Sequence, residues 1–136
     1  MASQLKVDTI TGVTTAGSIA VTGEGNSTTT NLQQGLAKAW ALLDGTGTIA
    51  LQDSFNIASV SDEGTGDYTF TVSNAFSSAN FSCTANGRQS ESPPWTAMTS
   101  SVGATAATTV RITSRNTSNT QTDQKQLHTQ FMGDLA

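Results

Sequence analysis

The side chains best able to do chemistry in this sequence are one histidine, one cysteine and a short run of carboxylates. A serine hydrolase needs an imidazole held beside its nucleophile by a third group. The sole histidine, His128, is one residue out of step with Leu127 and Thr129, so it points away from their face, as a surface or intersubunit histidine does. No Gly-x-Ser-x-Gly elbow leads into a helix. Glycan-cleaving enzymes need only two carboxylates at a set separation. Asp53, Asp62, Glu63 and Asp67 are close in sequence. The last three fall in a glycine-containing turn where aspartates cap backbone N–H groups, and the spacing lacks the D-x-D-x-D-G order of a calcium loop. Cys83 alternates with Phe81 and Ala85 as a small core residue would, and a single cysteine allows no intrachain disulfide. Gly45-Thr46-Gly47-Thr48 has no Lys-Ser/Thr after it and reads as a hairpin turn, not a phosphate loop. Trp95, in Ser92-Pro93-Pro94-Trp95 with Met98 nearby, can stack on a sugar or dock a partner; folding back over the sandwich edge is the other reading. These residues call for no cofactor, no metal and no catalysis.

The elements that position them are strands. Leu5, Val7 and Thr9 alternate with Lys6 and Asp8, and Ile19 and Val21 alternate with Ala20 and Thr22. Residues 23–30 hold no large apolar side chain and form the best boundary, dividing the chain into an extended segment 1–30 and a β domain 31–136. Leu32, Leu36, Trp40 and Leu43 fit a helical stripe, while Leu36, Lys38, Trp40 and Leu42 fit a period of two. Gly35 weakens the helix, so a short helical turn over 30–35 followed by a strand over 37–43 is expected. Asp44-Gly45 signals a hairpin into a strand over 48–53. Residues 54–60 continue extended with Phe55 and Ile57 on one face, and 62–67 turn. Tyr68, Phe70 and Val72 give the cleanest half-buried strand. Phe81, Cys83 and Ala85 give another, ended by Asn86-Gly87 as a turn. Residues 88–103 read as a polar excursion, 106–112 as a strand, 114–122 as a loop and 127–131 as the last strand. Six or seven short strands imply an all-β fold, an antiparallel sandwich or barrel.

Composition sharpens this. Thr and Ser make 40 of the 136 residues, and Leu, Ile, Val and Phe only 25. So low an apolar fraction reaches the disorder range, but disorder also needs high net charge, and here charged residues are 12% with a net charge of −4. Threonine suits a pleated, half-buried surface, so the chain reads as a thinly cored β protein. Six Lys and Arg against ten acids argue against a nucleic-acid partner. No run approaches 18 apolar residues, so no membrane insertion by a helix is expected, and the opening residues lack the apolar stretch of a signal peptide. A small fold with a thin core and no disulfide or metal gains burial by oligomerising.

The order Lys38-Ala39-Trp40, Asp44-Gly45-Thr46-Gly47-Thr48, Asp53-Ser54-Phe55-Asn56-Ile57, Asp62-Glu63-Gly64-Thr65-Gly66-Asp67-Tyr68-Thr69 resembles a β domain of tail-fibre and related virion proteins of tailed bacteriophages. Ala79-Asn80-Phe81 and the strand at 125–132 match that domain in position. Ser3-Gln4-Leu5-Lys6-Val7-Asp8-Thr9-Ile10 is similar to the N-termini of marine phage structural proteins. The resemblance implies a non-enzymatic virion component, commonly a homotrimer, attached to other phage proteins through its N-terminal segment. It differs from long fibres in holding little beyond an anchor and one domain. A short tail fibre or knob is therefore expected, with a capsid-surface decoration (head-fibre) protein or a host-glycan-binding module as alternatives. Leu5, Val7 and Ile10 are the expected attachment residues, Leu32, Leu36 and Trp40 the expected subunit-interface residues near the trimer axis, and Trp95 the expected ligand contact. The expected location is the virion, after synthesis in the host cytoplasm.

Overall fold

The computed structural model describes residues 4–12, 19–23, 29–32, 35–89, 99–104 and 106–136. The chain divides into two compact units, Met1–Gly35 and Leu36–Ala136. Among the described residues every regular element is a strand, and all pairing is antiparallel.

In the first unit, strands β1 (Ala20–Thr22) and β2 (Thr29–Asn31) form a two-stranded ribbon in which Val21 faces Thr30. The helical turn expected over 30–35 gives way here. Thr30 and Asn31 belong to a strand, while the Gly35 N–H donates to the Asn31 carbonyl at 3.2 Å, a single helical-type bond. Threonine's branched Cβ favours the pleat over the helix, and ladder bonds to β1 decide it. Residues 4–12 are exposed and join no strand.

The second unit is a β-sandwich of two four-stranded sheets. One sheet has the order β4 (Ala50–Phe55), β3 (Ala37–Asp44), β10 (Gln126–Met132), β7 (Ser82–Arg88); the other runs β5 (Ile57–Gly64), β6 (Asp67–Val72), β9 (Thr109–Arg115), β8 (Thr99–Ala104). Alternation places Ala39, Ala41, Leu43, Leu127 and Phe131 on the inner face of the first sheet. Tyr68, Phe70, Val72, Val110 and Ile112 face them from the second. Aromatic rings tie the two layers: Phe70 lies 6.2 Å from Phe131, which meets Phe81 edge-on at 6.4 Å, and Phe81 stacks on Phe76 at 4.1 Å. Such tilted and stacked pairs add to plain burial, and they compensate for small inner residues such as Ala39 and Ala41.

Four expectations change. Residues 54–60 are not one strand: Asn56 adopts φ 57°, a left-handed conformation that asparagine tolerates, and the chain leaves β4 for the other sheet at that point. Asn86-Gly87 does not turn. Both residues stay in register with β10, and Gly87 is glycine because the Gln124 side chain occupies the place of its Cβ, with Oε1 2.8 Å from where that atom would stand. The polar excursion 88–103 contains most of β8, an edge strand beginning at Thr99. Finally β9 begins at Thr109, three residues later than expected, because Ala106 and Thr109 close a tight turn by mutual backbone hydrogen bonds of 3.3 and 3.4 Å.

Candidate functional site

Because β3 turns Ala39, Ala41 and Leu43 inward, Trp40 and Leu42 face out. The ladder registers then line up outward side chains from four strands. Trp40 pairs with Phe55 on one side and Gln130 on the other, and Gln130 pairs with Thr84. One step along, Leu42 pairs with Asp53 and His128, and His128 with Asn86. The two rows, Phe55–Trp40–Gln130–Thr84 and Asp53–Leu42–His128–Asn86, form the outer face of the first sheet. Apart from Asp53, apolar side chains gather on the β3–β4 side and polar ones on the β10–β7 side. Between them lies an open groove of about 510 Å³, lined by Trp40, Leu42, Asp53, Asn86, His128 and Gln130 among others. A smaller hollow of about 240 Å³ continues past Asn86 and His128 to Arg88, whose Nε donates to Gln126 Oε1 at 2.7 Å. Trp40 is 37% exposed, a large ring left partly open to solvent.

The residues with chemical potential are spread over both sheets. Asp53 lies on β4 of the first sheet, while Asp62, Glu63 and Asp67 lie on β5 and β6 of the other. Asp62 does cap the turn, accepting from the Gly64 N–H at 3.0 Å. Asp67 is not the turn residue that was expected. It begins β6, is nearly buried, and takes two hydrogen bonds from Arg111 Nε and Nη2 at 2.8 and 2.7 Å. That guanidinium holds its carboxyl below the usual carboxylate range. His128 faces outward as expected and stands two strands from Asp53, about 9–10 Å away across Leu42. Burial pushes the Cys83 thiol up to about 12, in keeping with a core residue. Among the described residues no group of three or more His, Cys, Asp and Glu could hold a metal ion, and no helix is long and apolar enough to cross a membrane.

The most polar cluster of the interior is structural. Tyr68 Oη donates to Asp123 Oδ1 at 3.0 Å and lies 3.3 Å from the Gly45 carbonyl, and Asp123 Oδ1 also accepts from the Gly66 N–H at 2.7 Å. Burial first, then the Asp123 carboxylate, raises the Tyr68 hydroxyl well above its usual range. Nearby, Asp44 accepts from Lys125 Nζ at 2.5 Å and from Thr46, which hold it down to about 2. These bonds fix the two glycine turns and the approach to β10.

Of the expected site residues, Leu36 and Trp40 are exposed in the sandwich unit, where Phe55 and Leu51 add further exposed apolar surface. Leu32 belongs to the first unit, half-buried, its N–H donating to the Ile19 carbonyl at 2.9 Å. Leu5, Val7 and Ile10 are all exposed in that unit. Trp95 lies outside the described residues. Gln130, Asn86 and Thr84 were not anticipated. Alternation with Leu127, Thr129 and Phe131 marks Gln130 as outward, but only the four-strand register shows that it adjoins Trp40 and Thr84.

No protein-family model matches the chain, and no curated protein does. Among solved structures, it is similar to the phiAB6 tailspike, determined in complex with three-repeated oligosaccharides of Acinetobacter baumannii surface polysaccharide. The likeness has a TM-score of 0.54 at 13% identity and takes in 98% of this chain but 30% of the tailspike. At that identity the fold is what the two share.

Proposed function

We propose that this chain is a non-enzymatic structural protein of a bacteriophage particle, a short fibre or knob that assembles as a homotrimer. The observation that carries the proposal is the apolar margin of the outer sheet face. Leu36 is 53% exposed and Phe55 54%, and Trp40, four residues after Leu36, pairs with Phe55 across β3 and β4, on a domain whose own core is thin. Exposed apolar side chains grouped in this way mark an association surface. In this reading the copies meet along the β3–β4 margin through Leu36 and Phe55, with Trp40 at its border. The similarity in fold to a tailspike and the resemblance of the central motifs to fibre domains support a place on the virion.

Attachment falls to the N-terminal segment. Leu5, Val7 and Ile10 are exposed on residues that pair with no strand, as suits a segment that adds itself to the sheet edge of another virion protein. Sedimentation of the full chain tests the assembly: a trimer at micromolar concentration is expected, and a monomer overturns it. Removing residues 1–25 tests attachment: the shortened protein should stay trimeric but fail to enter particles, and normal incorporation overturns the assignment. Copy number per particle separates a tail position from a capsid decoration, since the two sites differ in symmetry.

A second reading, contact with a host-surface glycan, is favoured by the groove beside Trp40.

A further inference from the structure

We infer that the groove on the outer face of the first sheet is a binding site for an uncharged oligosaccharide, with Trp40 as its apolar wall and Gln130, Asn86 and Asp53 as its hydrogen-bonding groups. The inference rests on the second reading above and names its site and ligand class.

The chemistry of the lining selects the ligand. A pyranose ring is apolar on the faces that carry its C–H bonds and polar around its rim of hydroxyls. It is held by an aromatic surface together with planar side chains that both donate and accept. The groove places one partly open indole next in register to Gln130, with Asn86 and His128 on the neighbouring positions of β7 and β10. Amides of Asn and Gln both donate and accept, and so match hydroxyl pairs better than a fixed cation does.

Charge narrows the class. No Lys or Arg lines the main groove, and its formally charged lining residue is Asp53. Arg88 stands in the adjoining hollow, where Gln126 engages it. With a net charge of −4 as well, the surface offers an acidic polymer or a nucleic acid little attraction.

Shape excludes a peptide strand and a small enclosed metabolite. The groove runs over the sheet face, about 14 Å across three strand spacings, so it presents side chains and not the free backbone groups that a strand would pair with. Its volume of about 510 Å³ is within the usual range for ligand sites, but it is open along its length, as suits a segment of a longer chain.

The test is an array bearing neutral, N-acetylated and uronic-acid-containing bacterial oligosaccharides, probed with the full-length protein, and then titration of the neutral oligosaccharide retained most strongly. Retention of neutral glycans is expected, with affinity nearly unchanged between about 0.05 and 0.5 M salt because no ion pair is formed. Gln130→Ala and Asn86→Ala should each weaken binding about tenfold by removing hydrogen bonds. Thr117→Ala, on a distant loop, should leave binding as it was. Neither groove substitution should alter sedimentation. Retention of no glycan, retention of acidic glycans alone, or wild-type affinity in both groove variants overturns the inference. A chain that sediments as a monomer yet binds a neutral glycan through Gln130 and Asn86 upholds the site and refutes the trimer, so the two ideas fail separately.

Discussion

The hydroxyl of Tyr68 fills the space where a side chain at Gly45 would begin: a Cβ there would lie 2.1 Å from Tyr68 Oη. Gly45 is held from both ends, its N–H donating to the Gln124 carbonyl at 2.8 Å and its carbonyl lying 3.3 Å from the same hydroxyl. Asp123 completes the lock by accepting from Tyr68 and from the Gly66 N–H. One phenol thus joins the β3–β4 turn, the β5–β6 turn and the segment before β10.

Two substitutions separate the space from the bond. Gly45→Ala forces the ring out of place and should cost about 1–3 kcal/mol, the range for overpacking a filled interior. Tyr68→Phe keeps the ring and leaves the Asp123 carboxylate short of one donor, for about 1–2 kcal/mol. Urea unfolding of both variants against wild type measures the difference. A Gly45→Ala protein as stable as wild type would show that the turn moves freely away from Tyr68.

Asn56 is the corner at which the chain changes sheets, and it does two jobs. Its left-handed backbone costs a Cβ-bearing residue about 1–2 kcal/mol unless side-chain bonds compensate. Here Nδ2 donates to the Lys38 and Asn74 carbonyls at 3.0 and 3.3 Å, and Oδ1 accepts from the Asn74 N–H at 2.8 Å. Asn56→Gly relieves the backbone and loses the bonds; Asn56→Ala loses the bonds and keeps the strain. The expected order of denaturation midpoints is wild type, then glycine, then alanine, with alanine down by about 2–3 kcal/mol. Equal midpoints for the two variants would mean that the φ value carries no strain.

How much of this was legible follows from which physics each feature depends on. The strands around Tyr68–Val72 and Leu127–Phe131 are written in period two, because burial on one face demands it. Asn56 is invisible to that reading, since Phe55 and Ile57 alternate correctly across it while the backbone between them reverses hand. Asn86-Gly87 carries a turn signature, but the signature says nothing of Gln124, whose side chain needs the missing Cβ. Asp67 looks like a turn carboxylate until Arg111, 44 residues away, is placed beside it. The outer groove is the extreme case: residues 40, 53, 86 and 128 meet only after three pairs of strands have settled their registers.

Cys83 tests the sealing of the core. Burial alone pushes its thiol up to about 12 from an ordinary 9.0. At pH 8 the reactive thiolate is then on the order of one molecule in ten thousand, against about one in ten for a free thiol of ordinary acidity. Iodoacetamide at pH 8 should therefore leave the folded protein almost unmodified over a period that fully labels the unfolded chain. Mass spectrometry reads both, and rapid labelling of the folded protein would place β7 open to solvent.

The ion pair between Asp44 and Lys125 sets an acid limit on stability, and its sign is fixed by the direction of the shift. Asp44 sits at about 2 in the fold, against an ordinary 3.8, chiefly through its bond from Lys125 and then through Thr46. The unfolded chain therefore binds a proton at Asp44 more readily than the folded one. The contribution of the pair is fully present above pH 3.8 and is lost as pH falls toward 2. Asp67, held low by Arg111, acts in the same direction. Lys125 is a third exposed, so water screens the pair, and its worth is about 1 kcal/mol. Asp44→Asn should lower stability by about that amount at pH 6 and by little at pH 2, so that the two stability curves converge as the solution is acidified. A constant gap from pH 6 down to pH 2 would show that Asp44 acts by its shape and hydrogen bonds to Thr46, and not by its charge.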